Sequence, residues 1–225
     1  MLGGDPSNLF ALDPNQLEGV DRLVHLFISY PFARRRSATL RSSGQPANFM
    51  VTRTLLTFEQ FEKYPDDGHK HELLQGEHII LPPPKFDHSQ IQHKLLYVLG
   101  AYVRQRRLGD VMMEVGFRLS PDTCLQPDVS FVRTSQIEQP RPRGYLEGSP
   151  ALAIEVASES NTAAQLDLKM ELYFAHGGEE VWIVYPQTRR VRAHFPDGHS
   201  ETLASDLHAG LFPGWSAPLS AIFAD

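Results

Sequence analysis

Two apolar segments of the chain each carry a carboxylate where a buried strand is expected. In residues 125–132, LQPDVSFV, Asp128 directly precedes the apolar residues, and in residues 150–158, PALAIEVAS, Glu155 lies among them. Burying an ionised carboxylate is unfavourable unless it is paired with an opposite charge or bound to a cation. The two segments therefore predict a shared polar site at the ends of two central strands.

The segments around these strands predict an α/β fold with a mixed, α+β type of sheet. Residues 87–109 and 161–178 have the apolar spacing of amphipathic helices. Short apolar or alternating runs predict further strands within residues 71–81, 111–120 and 180–186. This order predicts a central mixed β-sheet flanked by helices.

Residues 1–50 differ from the rest of the chain, with scattered Pro, Gly, Ser and Arg and one apolar helical pattern. We expect them to be an N-terminal extension, either disordered or arising from a misassigned start, with Met50 as the working start. Residues 51–225 are then expected to form the functional domain.

Composition excludes several classes of protein. The single cysteine, Cys124, allows neither an internal disulfide nor a cysteine-cluster metal site, and it fits a reducing cytoplasm. No apolar run approaches the ~20 residues of a membrane span, so no membrane association is expected. The net charge of −6 argues against a broad basic face for nucleic acid, although a metal-binding cleft is itself acidic.

A lysine follows the two carboxylates on the second predicted helix. If the two strands are neighbours, Asp128 and Glu155 face one cleft, and Lys169 lies beyond them with Tyr173 one turn further on the same face. Two carboxylates and an ammonium group around one point are typical of a site for a hard cation such as magnesium.

Histidine-based zinc chemistry is not indicated. None of the ten histidines shows an HExxH spacing. We expect His88 to be a cap or loop residue, and His69, His71 and His78 to lie on the surface near a hairpin.

Several motifs together resemble the Uma-two family of endonucleases, which belongs to the PD-(D/E)xK nuclease superfamily and has a restriction-endonuclease-like fold. The resemblance covers roughly residues 52–223. It is carried by HELLQGEHIILPPPKFDH, QPDVSFV, PALAIEVAS, DLKMELYFAHGGEEVWIVYP and LFPGWSAPLSAIF. Each motif is weak alone, but their order and spacing are specific.

The resemblance implies roles for particular residues. Asp128 matches the aspartate of the PD half, and Glu155 matches the acid of the second half. Ala157 stands where the usual lysine would follow, and Lys169 matches the helix position that supplies it instead.

The resemblance also implies the remaining metal ligands and two supporting residues. Glu72 matches an upstream acid that completes the metal site, and the backbone carbonyl of Val156 is expected to reach the ion. Gln126 and Tyr173 are expected to support the site.

Three positions depart from the family pattern. Glu159 replaces a proline, Tyr185 replaces an aspartate, and Gln165 stands where an acid is frequent. These changes spare the core positions but alter their surroundings.

These observations predict an endonuclease that hydrolyses DNA with Mg²⁺, or with Mn²⁺ in its place, with Lys169 positioning or activating the attacking water. Cleavage of both strands would require a homodimer, and Lys169→Ala is expected to remove cleavage while leaving the fold intact. Two alternatives stay open. One is an inactive nuclease-fold module that binds nucleic acid or protein, and the other is a two-carboxylate glycosidase, which would leave Lys169 unexplained.

Overall fold

The computed structural model describes residues 55–139, 144–159 and 161–223. The predicted N-terminal extension, residues 1–50, lies outside this range. Within it, no helix is both long enough and apolar enough to cross a membrane.

The described residues form five α-helices, one short 3₁₀ helix at Pro186–Thr188 and thirteen strands. The helices are α1 (Phe58–Phe61), α2 (Phe86–Arg106), α3 (Thr134–Ile137), α4 (Ala163–Ala175) and α5 (Ser220–Phe223). The strands are β1 (Lys70–Leu74), β2 (Glu77–Leu81), β3 (Gly109–Met113), β4 (Phe117–Ser120), β5 (Thr123–Leu125), β6 (Val129–Arg133), β7 (Leu146–Glu147), β8 (Leu152–Val156), β9 (Glu180–Tyr185), β10 (Arg190–His194), β11 (Ser200–Leu203), β12 (Asp206–Leu207) and β13 (Ala217–Pro218).

The strands form mixed sheets, as the sequence predicts, but they divide between two large sheets rather than one. The first has the order β11-β10-β9-β8-β6-β3, and the second has the order β2-β1-β5-β4-β7. The pairs β8–β9 and β4–β7 are parallel, and the other pairs in these sheets are antiparallel. The chain leaves the first sheet at Glu114, whose left-handed φ of 52° ends the extended run of β3.

The two faces of the six-stranded sheet are covered by different elements. Helix α2 packs its apolar stripe on one face, where Leu95 and Leu99 join Leu152 and Ile154 of β8 in one core cluster. On the other face, β8 and β9 share a second cluster with α4 and with strands of the five-stranded sheet. Successive side chains of a strand point to opposite faces, so Glu155 is directed away from α2 and towards α4.

The pairing of β6 with β8 brings the two predicted carboxylates together. These strands are antiparallel with Val129 opposite Ile154, so the start of β6 lies beside the end of β8. Asp128, just before β6, is therefore level with the last residues of β8. The expectation that the two strands are neighbours is confirmed.

Helix α4 begins at a capping box. The side-chain hydroxyl of Thr162 accepts a hydrogen bond from the backbone N–H of Gln165 at 3.2 Å, and the Gln165 side chain accepts one from the backbone N–H of Thr162 at 3.0 Å. These two bonds satisfy backbone donors that a helix start otherwise leaves unpaired. They fix where α4 starts and hence where along the helix axis Lys169 contacts the sheets.

The turn from α2 into β3 depends on a glycine. Gly109 has a φ of +151°, and a Cβ atom there would lie 1.9 Å from the carbonyl oxygen of Val132. We expect Gly109→Ala to lower the free energy of unfolding by about 2–3 kcal/mol, because the strand pairing must shift to admit the methyl group. Urea denaturation measures the change.

Gly100→Ala is the matched control. Gly100 lies inside α2, where an added Cβ has only a side-chain atom of Arg104 nearby, at 3.6 Å. Alanine favours a helix interior over glycine, so a gain of about 0.5–1 kcal/mol is expected. Equal effects of the two substitutions would contradict the role given to Gly109.

Candidate active site

Of the predicted site residues, Asp128, Glu155, Val156 and Lys169 line one cleft of about 770 Å³, whereas Glu72, Gln126 and Tyr173 are not among its lining residues. Its walls come from β1, the start of α2, the ends of β6 and β8, and α4. Lys70, Asp128, Glu155 and Lys169 all contribute to its surface.

Asp128 is a buried carboxylate, 5% exposed, with donors on both oxygens. Its Oδ2 accepts a hydrogen bond from the backbone N–H of Val156 at 2.7 Å and lies 3.3 Å from Nε2 of His88. Its Oδ1 accepts a hydrogen bond from the Lys70 ammonium group at 2.9 Å. The Gln92 side-chain amide donates more weakly to the same oxygen, at 3.4 Å.

These contacts keep Asp128 ionised. Burial by itself would raise the pKa of Asp128, but the Lys70 ammonium and His88 outweigh burial and hold that pKa well below its usual range. Burial would likewise lower the pKa of Lys70, but Asp128 and the nearby glutamates raise it above its ordinary value. The pair is therefore charged on both sides.

Lys169 joins two glutamates from different sheets. Its Nζ lies 2.9 Å from Oε1 of Glu155 and 3.0 Å from Oε1 of Glu72 on β1. The Tyr173 hydroxyl, one turn further along α4, donates to the same Glu155 oxygen at 2.7 Å. The predicted neighbourhood of Glu72, Glu155, Lys169 and Tyr173 is thus present.

Burial is the largest influence on the pKa values of Lys169, Glu155 and Tyr173. Burial would lower the pKa of Lys169, but Glu155 and Glu72 outweigh it and raise that pKa above its ordinary value. Burial raises the pKa of Glu155, and Lys169 offsets only part of this. Burial, reinforced by Glu155, raises the pKa of Tyr173 well above its ordinary value. Lys169 is therefore an ammonium ion and Tyr173 a neutral hydroxyl donor.

The charges at the centre of the cleft do not balance. Three buried carboxylates, Glu72, Asp128 and Glu155, face two ammonium groups, Lys70 and Lys169. Counting formal charges with His88 taken as neutral, two positive against three negative leaves one negative charge. A buried acid with a raised pKa, such as Glu155, can lose this excess by taking up a proton or by binding a cation.

The donor chemistry fits magnesium better than zinc. In the described part of the chain, no three His, Cys, Asp or Glu side chains converge closely enough to hold a metal ion by themselves. Magnesium in phosphate-processing sites is usually bound by one or two carboxylates, with water and substrate phosphate completing its shell. Asp128 and Glu155, on adjacent strands and facing one cleft, provide such a pair.

Two residues of the predicted site, Gln126 and Val156, make contacts within it through their backbone N–H groups. The backbone N–H of Gln126 donates to Oε1 of Glu72 at 2.9 Å, whereas Gln126 also lines a separate small pocket of about 130 Å³. Val156 contributes its N–H to Asp128. The expected approach of the Val156 carbonyl to a metal ion stays a prediction.

Sequence reasoning missed three residues that contact Asp128: Lys70, His88 and Gln92. The interpretation of His88 as a mere cap or loop residue is wrong, because the first turn of α2 points His88 at Asp128. Two features of the sequence could have indicated these residues. Gln92 is a polar residue within the apolar stripe of α2, and Lys70 precedes Glu72 by two positions, on the same face of the strand.

The other histidine predictions are only partly right. His69 is exposed, but His71 and His78 are half-buried and share a hydrogen bond of 2.8 Å between Nδ1 of His71 and Nε2 of His78. The second ring nitrogen of His71 lies 2.8 Å from Oδ1 of Asp67. Cys124 is buried as expected, and burial raises the pKa of its thiol to about 12, which excludes a ready thiolate nucleophile.

The three departures from the family pattern lie around the site and not at its centre. Glu159 pairs with Lys85 at 3.0 Å on the exposed rim of the cleft. Gln165 belongs to the capping box of α4. Tyr185 ends β9 and is 36% exposed.

The buried position of Lys169 changes the expected outcome of its substitution. Lys169→Met leaves two buried glutamates without their counter-charge, and breaking a buried ion pair in this way typically lowers stability by about 3–5 kcal/mol. The expectation that its removal leaves the fold intact therefore no longer holds. Urea denaturation at neutral pH measures the loss.

A double substitution separates this interaction from general damage. Glu72→Gln combined with Lys169→Met should be less destabilising than the sum of the two single changes, because the pair is removed together. Lys63→Met, at an exposed lysine after α1, is the control and should change stability by less than about 0.5 kcal/mol. Strict additivity would show that the two residues do not interact.

Comparison with known proteins places this geometry in a family. The profile of the Uma2 (Uma-two) family, described as "putative restriction endonuclease", matches residues 58–220. A crystal structure from Anabaena variabilis ATCC 29413, described as a "putative nuclease belonging to DUF820", superimposes with a TM-score of 0.66 at 21% identity, covering 75% of this chain and 98% of the other. A search among curated proteins gives no match. The fold is thus restriction-endonuclease-like, and the chain belongs to the Uma2 family.

Proposed function

We propose that this protein is a magnesium-dependent endonuclease that hydrolyses phosphodiester bonds of DNA in the described cleft. The observation that supports this most directly is the placement of Asp128 and Glu155 on adjacent antiparallel strands, facing one cleft, with Lys169 2.9 Å from Glu155. The family description, "putative restriction endonuclease", supports nucleic acid as the substrate.

Asp128 and Glu155 are the residues that would hold the ion, with the carbonyl of Val156 as a further oxygen donor. Glu72 would reach the ion only after a shift, since no three such side chains converge in the described residues. Magnesium bound there would stabilise negative charge on the phosphate and lower the pKa of a bound water, and manganese has similar oxygen preferences. The excess negative charge at the centre supports a cation in this place.

The protein's own contacts keep the two carboxylates in fixed orientations. The N–H of Val156 holds one oxygen of Asp128, and the hydroxyl of Tyr173 holds one oxygen of Glu155. Such fixed orientations reduce the reorganisation needed when charge develops during the reaction.

Lys169 is proposed to act as an ammonium group. Its raised pKa makes proton abstraction from water unfavourable, so positioning of the attacking water and stabilisation of phosphate charge are the roles that fit.

One catalytic centre cuts one strand, so cleavage of both DNA strands would need two copies of the chain. We therefore propose a homodimer for double-strand cleavage, while nicking of one strand requires only the monomer.

Plasmid nicking tests the proposal. Supercoiled plasmid is incubated with the purified protein and increasing Mg²⁺ or Mn²⁺, and with chelator in parallel. Metal-dependent nicking is expected, with no cleavage in chelator. Glu155→Gln should reduce the rate by about a hundredfold or more, because it removes a charged ligand, and it should fold because Lys169 keeps Glu72 as its partner.

Glu171→Gln is the matched control, since Glu171 is an exposed acid of α4 outside the cleft, and its nicking rate should equal that of the wild type. Cleavage that persists in chelator would refute the metal mechanism. Metal binding without cleavage of any nucleic acid would favour instead a nuclease-fold module that only binds nucleic acid or protein.

A further inference from the structure

Lys70 is the one lysine of the cleft that contacts Asp128 in the described structure. It lies on β1 two residues before Glu72, so both side chains leave the same face of the strand. Its Nζ is 2.9 Å from Oδ1 of Asp128, and its side chain is 15% exposed. The family pattern provides one lysine for the site, at Lys169, and leaves Lys70 without a role.

The two oxygens of Asp128 are held differently. Oδ2 accepts from a backbone N–H, that of Val156, at 2.7 Å, which is fixed by the pairing of β8. The short contact of Oδ1 is to the Lys70 ammonium, which sits at the end of a flexible four-carbon stem. Oδ1 is therefore the oxygen that can change partner without moving the sheet.

Lys70 also differs from Lys169 in its number of partners. Lys169 lies between two glutamates, one of which also accepts a hydrogen bond from Tyr173, and it is 5% exposed. Lys70 has a close contact with a single carboxylate and lines the open cleft.

We propose that Lys70 is a positioning residue that occupies the cation place beside Asp128 when no divalent ion is bound and competes with the ion for Oδ1. This rests on the proposed metal-dependent function. Lys70 keeps the buried carboxylate oriented and charge-balanced in the metal-free protein, and its departure from Oδ1 makes that oxygen available as a ligand.

Removal of the Lys70 charge is expected to have opposite effects on the stability of the metal-free protein and on its affinity for metal. Removing the Lys70 charge should destabilise the metal-free protein, because Asp128 loses its closest counter-charge. It should also tighten metal binding, because a competing cation about 3 Å from the ligand oxygen is gone. A lysine whose charge does not act on the bound ion would produce the first effect without the second.

Metal binding without DNA is the direct test. Isothermal titration with Mn²⁺ and Mg²⁺ compares wild type, Lys70→Met and Lys70→Arg. We expect Lys70→Met to bind about tenfold more tightly, since one repulsive unit charge is removed, and Lys70→Arg to stay near the wild type. In thermal melts, Lys70→Met should have a lower Tm than the wild type in chelator, and its Tm should rise more on addition of Mn²⁺.

Two further variants keep the test decisive. Lys63→Met removes the same charge outside the cleft and should leave metal affinity within about twofold of wild type, since exposed distant charges are screened. Lys70→Gln keeps a hydrogen-bond donor for Asp128 without the charge, so it should show the same tightening even if Lys70→Met does not fold.

The outcomes separate the two proposals. Equal or weaker metal binding by folded Lys70→Met and Lys70→Gln, with clear binding by wild type, would overturn the role of Lys70 alone. No metal binding by any variant would overturn both this role and the proposed metal-dependent function.

Discussion

The buried contact of Lys169 with Glu72 and Glu155 is the interaction on which the rest of the site depends. It links β1 of the five-stranded sheet, β8 of the six-stranded sheet and α4 at one point. Removing Lys169 alone would leave both glutamates buried without their counter-charge, which is strongly unfavourable. The relative positions of the two sheets and of α4 are therefore tied to the geometry of the site.

Such a network is a poor choice if stability is the only requirement. Well-packed apolar residues in place of a buried ion pair are often neutral or stabilising, and this network contains three buried acids for two lysines. Groups whose pKa values are displaced by burial and by specific charges concentrate at functional sites. The net negative charge around Asp128, Glu155 and Lys70 is what a site that receives a cation together with a phosphate would require.

The main features of this site could be predicted because they follow from local patterns. An acid at the start of one buried strand and an acid near the end of the next meet whenever the strands pair antiparallel, as β6 and β8 do. The resemblance supplied Glu72 and Lys169. Lys70, His88 and Gln92 were missed, because contacts with Asp128 over 58, 40 and 36 positions of sequence depend on how β1 and α2 pack.

The sequence by itself determined the mixed α/β class, the carboxylates on two central strands and the amphipathic helix that carries the lysine, because side-chain periodicity and the cost of burying charge act locally. Only the tertiary structure decided that eleven of the strands divide into two large sheets, that Lys169 joins these sheets, and that Lys70 lies beside Asp128. These features arise from the packing of segments far apart in sequence, where no local preference of the chain selects one partner over another.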